Sequence, residues 1–160
     1  MPRLLKYGDI WAFEIPPEWE FADTKQNRAV DLWQSGELDE AERLFVEVLK
    51  KYPDHFDAMN NLACLYNDAG LSNKAMSVWL RLIHLALQNI PREFKVGEDE
   101  ISWYYNENRS FLRALYNLAV NYFKDGDTTS GIIYANLLLM FCPDDNLGMR
   151  EYCKNLKVKL

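Results

Sequence analysis

The sequence predicts an all-α fold, a right-handed solenoid of three antiparallel helix pairs with a C-terminal capping helix and an extended N-terminal arm. Three observations carry this reading. Three segments of 34 residues can be laid over one another without gaps. Each holds a glycine at the same place, Gly36, Gly70 and Gly126. On either side of that glycine the apolar residues recur three and four apart, the period of a helix with one buried face.

Composition bounds what such a chain can be. With 160 residues, 49% apolar and 26% charged, it has enough length and enough hydrocarbon to bury a core by itself. No apolar run approaches the roughly 18 residues of a membrane span, and Met1 to Lys6 lack the apolar stretch of an export signal. Three cysteines are too few and too irregular for a disulfide framework, so a reduced, cytoplasmic protein is expected. A net charge of −6 argues against nucleic acid, whose binding relies on clustered Lys and Arg.

Residues 1–21 carry Tyr7, Trp11, Phe13, Trp19 and Phe21. The alternation from Trp11 to Ile15, followed by Pro16 and Pro17, excludes a continuous helix and predicts an extended arm. Aromatics at this density are costly to leave in water. The arm is therefore expected to cap the first repeat, to lie in the protein's own groove, or to dock on a second copy as a homodimer contact.

Repeats one and two occupy 22–89. The second is the clearest. Met59, Leu62, Ala63, Tyr66 and Ala69 form one apolar stripe, and Gly70 ends that helix because it accepts a left-handed backbone. Ala75, Val78, Trp79, Leu82, Ile83 and Ala86 form the next stripe, with Ser72 or Asn73 placed to accept the free amides at its start. Two helices joined at a glycine cannot bury both stripes alone, so the pairs must stack, and the small residues Ala63, Ala75, Ala119 and Gly131 let the backbones approach.

Gly70 and Gly126 stand 56 residues apart, one period of 34 plus an insertion of 22, assigned to 90–111. Its first half reads as a loop. Its second half, rich in aromatics, is expected to lengthen the first helix of repeat three (112–145), with Trp103, Tyr104, Tyr105 and Phe111 covering the seam. In 146–160, Met149, Tyr152, Cys153, Leu156 and Leu160 form the stripe of a capping helix.

These residues resemble the tetratricopeptide repeat family, whose pattern is a bulky residue, Leu-Gly/Ala, Tyr, Gly, Ala, aromatic, Ala and Pro. Repeat two supplies Met59, Leu62-Ala63, Tyr66, Gly70, Ala75 and Trp79, and repeat three Leu115, Leu118-Ala119, Tyr122, Gly126 and Pro143. Repeat one departs in its opening helix, where Lys25, Arg28 and Ala29 take the bulky, Leu and small places. The resemblance implies a non-catalytic protein-interaction module that holds a peptide or helix in its concave groove. The alternative is an assembly subunit that self-associates or docks through the arm and insertion.

Enzyme chemistry is not expected. His55 and His84 have no second ligand at a metal-binding interval, no glycine cluster precedes a Lys-Ser or Lys-Thr, and Asp125-Gly126-Asp127 lacks the later acids of a calcium loop. Cys64, Cys142 and Cys153 lie in apolar stripes or beside a turn, where a thiol serves as a small hydrophobe. No catalytic residue, metal or cofactor is therefore assigned.

The repeat register of the family places Gln26, Val30 and Trp33 of the first copy on the groove, with Asp57, Asn60, Asn61 and Asn67 of the second and Arg113, Tyr116, Asn117 and Phe123 of the third. Asn61 and Asn117 are equivalent, and a ladder of amides can hold an extended peptide by its backbone. Chaperone co-factors of the family grip carboxylate-ended tails with a clamp of Lys, Asn and Arg. Here Gln26 and Val30 replace the first-repeat pair, Asn61 is kept, Arg113 stands for the Lys and Asn117 for the Arg, while Asp23 and Asp57 add negative charge. The partner is accordingly expected to be a protein or peptide, neutral to basic, with neither nucleic acid nor membrane involved.

Overall fold

The computed structural model describes residues 1–160. Seven helices follow a small hairpin: α1 (Glu20–Gln34), α2 (Leu38–Lys51), α3 (Phe56–Asp68), α4 (Ser72–Gln88), α5 (Asn106–Lys124), α6 (Thr128–Phe141) and α7 (Met149–Asn155). Pairs α1/α2, α3/α4 and α5/α6 pack within themselves and stack in order. Gly70 has φ +76°, and its equivalents Gly36 and Gly126 have +86° and +83°, so each helix turn is made in the left-handed region that the repeated glycine permits. Ala63, Ala75 and Ala119 are fully buried between helices. A Cβ on Gly131 would lie 2.6 Å from the Phe123 ring, so this small position is what lets α6 close on α5. No helix is long and apolar enough to cross a membrane.

Several expectations are corrected. The start of α4 is capped by neither Ser72 nor Asn73; its cap position is Leu71, which makes no side-chain bond, and Ser72 is already helical. The capping helix is shorter than its stripe. Met149 and Cys153 are buried, but Lys157 takes a positive φ, and Leu156 and Leu160 remain exposed.

The arm is extended but paired. Strand β1 (Leu4–Tyr7) runs antiparallel to β2 (Ile10–Phe13), with Leu4 opposite Phe13 and Tyr7 opposite Ile10. One 3-10 turn, Pro17–Trp19, then leads into α1. The hairpin lies across the entry ends of the second and third pairs, where Phe13 meets Phe56 and Phe111 edge-on at 5.4 and 5.6 Å. The insertion joins it there. Trp11 bridges Ile101 and packs on Phe94, and Phe94 and Phe111 both reach Phe141. Of the aromatics expected over the seam, Phe111 is buried, Trp103 and Tyr105 are half-buried and Tyr104 is exposed; Phe94 and Ile101 fill the remaining space.

Asn108 fastens this end. It is fully buried in the first turns of α5; its Oδ1 accepts the Phe13 amide at 3.1 Å, and its Nδ2 donates to the carbonyls of Trp11 and Ser102 at 3.0 and 2.9 Å. One side chain thus satisfies backbone groups of hairpin and insertion at once. Asn108→Ala should cost about 3 kcal/mol, because three backbone groups lose their partner away from water. Urea denaturation of the two proteins measures this, and a difference below about 1 kcal/mol would show the hairpin to be held by its aromatics alone.

His55 closes the entry of α3. Its Nδ1 accepts the Ala58 amide at 3.2 Å, its ring stacks on Trp19 at 4.3 Å, and its buried Nε2 has no hydrogen-bond partner. Burial holds its pKa below the usual 6.5, against the opposing pull of Asp57 and Asp23. Between the folded pKa and 6.5 the unfolded chain therefore binds more protons than the native one, so stability is complete above 6.5 and declines as pH falls below it. Denaturation midpoints between about pH 7 and 5.5 should show this slope, and His55→Asn should flatten it.

Candidate functional site

The first helices of the three pairs form the inner layer. α3 packs against both α1 and α5, whereas the second helices fan apart on the outside. Where the inner layer faces the hairpin end, a cavity of about 250 Å³ opens, lined by Gln26 of α1, Asp57 and Asn61 of α3, and Asn106, Arg109, Ser110 and Arg113 of α5, with no apolar residue among them. The Ser110 hydroxyl donates to the Asp57 carboxylate, which ties α5 to α3 across the floor. Gln26 is almost fully buried on the same face of α1 as Ala22 and Ala29, and its Oε1 has no partner.

Two cations flank this cavity. Arg109 donates through Nε to the Trp103 carbonyl at 3.0 Å, and the guanidinium carbons of Arg109 and Arg113 each lie 5.3 Å from the centre of the same Trp103 indole. The insertion thus supplies an aromatic platform that orients both side chains toward the groove by cation–π attraction.

The structure distributes the expected groove residues unevenly. Gln26, Asp57, Asn61 and Arg113 come together in the cavity. Asn60 does not: it is buried and accepts the Trp79 indole N–H at 3.2 Å, facing the outer helix rather than the groove. The reason is angular, since adjacent residues on a helix point about 100° apart and only one of Asn60 and Asn61 can face inward. Val30 and Trp33 are half-buried against the core. Asn67 lies half-buried further along α3, and Asn117 donates weakly to the Cys64 sulfur at 3.6 Å. Tyr116 and Phe123 sit against Tyr152 of α7 at 6.3 and 6.1 Å, so the capping helix takes part of the apolar surface expected for a partner.

Asn106, Arg109 and Ser110 were missed. Their signal was present, because the second half of the insertion was expected to lengthen this helix, as it does from Asn106, and 106, 109, 110 and 113 share one face of the extension. The thiols are quiet. Burial pushes Cys64 up to about 11 and raises Cys142 and Cys153, so all three stay protonated at neutral pH. Asp127, of the discarded calcium-loop pattern, caps α6 by accepting the Ser130 amide at 3.0 Å.

Two tetratricopeptide repeat profiles match the chain, over residues 21–52 and 44–76. The first covers α1 and α2, and the second runs from within α2 through α3 and the Gly70 turn to the start of α4. Residues 21–76 carry tetratricopeptide repeats. Among solved structures, the fold is similar to that of a Podosopora anserina protein described as a putative kinesin light chain with nearly identical TPR-like repeats, at 15% identity and a TM-score of 0.53 over 73% of this chain and 53% of that one. A single-residue variant of the same protein aligns at 14% identity and a TM-score of 0.56, over 78% of this chain and 56% of that one. The chain therefore spans about half the length of these structures, and the likeness concerns fold alone. No curated protein sequence matches it.

Within these tetratricopeptide repeats the two adjacent asparagines should separate experimentally. Asn60→Ala leaves the Trp79 N–H buried without an acceptor and should cost about 1–3 kcal/mol in chemical denaturation. Asn61→Ala, on the wet face, should change stability by less than about 0.5 kcal/mol. Equal effects would contradict the assignment of one to the core and the other to the groove.

Proposed function

We propose that this protein is a non-catalytic interaction module that holds an extended peptide segment against the inner helices α1, α3 and α5. Tetratricopeptide repeats mediate protein-protein interaction in general. The observation that carries the finer reading is the wholly polar concave cavity, in which Asn61, Asn106 and Gln26 offer amides that make no side-chain hydrogen bond within the fold. Such groups match the alternating N–H and C=O of a peptide backbone.

The assembly alternative draws less support. Trp11, Phe13 and Trp19, three of the arm's five aromatics, are buried in the chain's own core, which removes them from any second copy and leaves only Tyr7 and Phe21 of the five exposed. The charge of the partner is also reset. The neutral-to-basic expectation weighed Arg113 alone against Asp23 and Asp57, but Asp23 lies beside His55 outside the cavity and Arg109 lies on its wall. Two guanidiniums against one carboxylate favour a segment that is neutral to acidic where it crosses α5.

Selection from a random peptide library on the immobilised full chain, followed by calorimetry, tests this reading. A selected peptide should bind at micromolar strength and lose about fivefold on Asn61→Ala, the equivalent of one hydrogen bond of about 1 kcal/mol. Binding that ignored Asn61 and Arg113 but was lost on changes to the exposed hairpin residues Tyr7 and Ile15 would move the site to the arm and revive the assembly reading.

A further inference from the structure

We infer that the Arg109–Arg113 pair is a receptor for a phosphate monoester carried on a peptide in the groove, an inference that rests on the groove reading above. The starting observation is electrostatic. In a chain of net charge −6, these two guanidiniums stand four residues apart on one helix over one indole ring. Neither has a carboxylate within ion-pair distance, since every ion pair of the protein lies elsewhere. Like charges at this helical spacing repel, and where two or more charges crowd one helix face elsewhere they are of opposite sign, as where Arg43 sits between Glu40 and Glu47. Two adjacent guanidiniums left unneutralised and pre-oriented beside a cavity mark a place where an anion completes the structure.

The geometry selects the anion. Arg109 spends its Nε on the Trp103 carbonyl and so presents its two terminal nitrogens, while Arg113 keeps its whole fork. A carboxylate brings one negative charge and two oxygens in one plane, whereas a phosphoryl group brings close to two charges and three oxygens in a tetrahedral array, which suits two guanidinium forks set side by side. Asn61 and Asn106 stand on the same wall with amides free to donate to a phosphoryl oxygen or to the adjoining backbone. Asp57 is the opposing charge. Its carboxylate already accepts from Ser110, which fixes it on the floor, where it weakens the anion's binding without abolishing it.

Arg109 and the Trp103 platform come from the insertion and the added turns of α5, so they are additions to the repeat pattern, whereas Arg113 occupies a position of repeat three. The sign of the Asp57 effect gives the inference an internal check, because removing an acid from the wall should strengthen binding of a dianion and leave a neutral peptide indifferent.

The test uses the full chain and three degenerate peptide pools with identical flanks and a fixed central phosphoserine, glutamate or serine, read by fluorescence anisotropy. The phosphoserine pool should bind at least tenfold tighter than the serine pool. Arg113→Gln, at an exposed position, should reduce that preference to within twofold with an unchanged melting temperature, and Arg109→Gln should reduce it equally. Asp57→Asn should enlarge it. Equal binding of phosphoserine and serine pools, with both weakened by Asn61→Ala, would overturn the phosphate receptor and leave the groove reading standing. A glutamate pool as tight as the phosphoserine pool would overturn the choice of a phosphoryl group. Inorganic phosphate that displaced the phosphoserine peptide at equal concentration would overturn the peptide as its carrier. Absence of binding by every pool would remove both readings.

Discussion

The structure depends on the length of one helix. α5 has 19 residues where its counterpart α3 has 13, and the surplus lies at its start, from Asn106 to Phe111. At 1.5 Å per residue that end projects about 9 Å beyond the stack of repeats. A bare helix end exposes apolar surface and unpaired amides, and both must be covered. The hairpin and the loop of the insertion supply the cover, Phe111 gives them an aromatic floor, and Asn108 satisfies the backbone groups that covering buries.

The opposite face of the same surplus turns builds the polar cavity. Asn106, Arg109 and Ser110 project toward the groove because they lie on the face away from Asn108 and Phe111. The anchor of the hairpin and the wall of the cavity are therefore coupled through a single helix. The hairpin holds the start of α5, the Trp103 carbonyl holds Arg109, and the Ser110–Asp57 bond holds α5 to α3. The cavity walls are thus carried on helices held to one another and not on free loops.

The repeats show how tolerant the stacking principle is. The first pair lacks the usual apolar residues in α1, yet Ala22, Gln26 and Ala29 are buried there and α2 contributes Ala41, Phe45 and Val48. Lys25 reaches Glu47 across the pair, replacing part of the missing apolar contact by charge. In α6 the helix carries no charged residue at all, and Gly131 admits the Phe123 ring where a larger residue would push the pair apart.

The three pairs, their glycine turns and the stacking alanines could all be read from the chain, because a helix records its buried face locally at intervals of three and four. The grouping of Gln26, Asp57, Asn61 and Arg113 on the inner helices could be read as well, since the repeat transfers a position from one copy to the next, and the four line one cavity. Asn60 could not be told from Asn61 by type, and Tyr116 and Phe123 were taken by α7, a contact between residues distant in sequence. The fate of the arm was likewise undetermined, because alternation specifies an extended strand but not the surface on which its aromatics come to rest. Only the tertiary structure brought Trp11, Phe13 and Ser102 to Asn108, and Trp103 to Arg109 and Arg113. Periodicity is a property of neighbours along the chain, whereas these contacts join an arm and an insertion that have no repeat to fix their register.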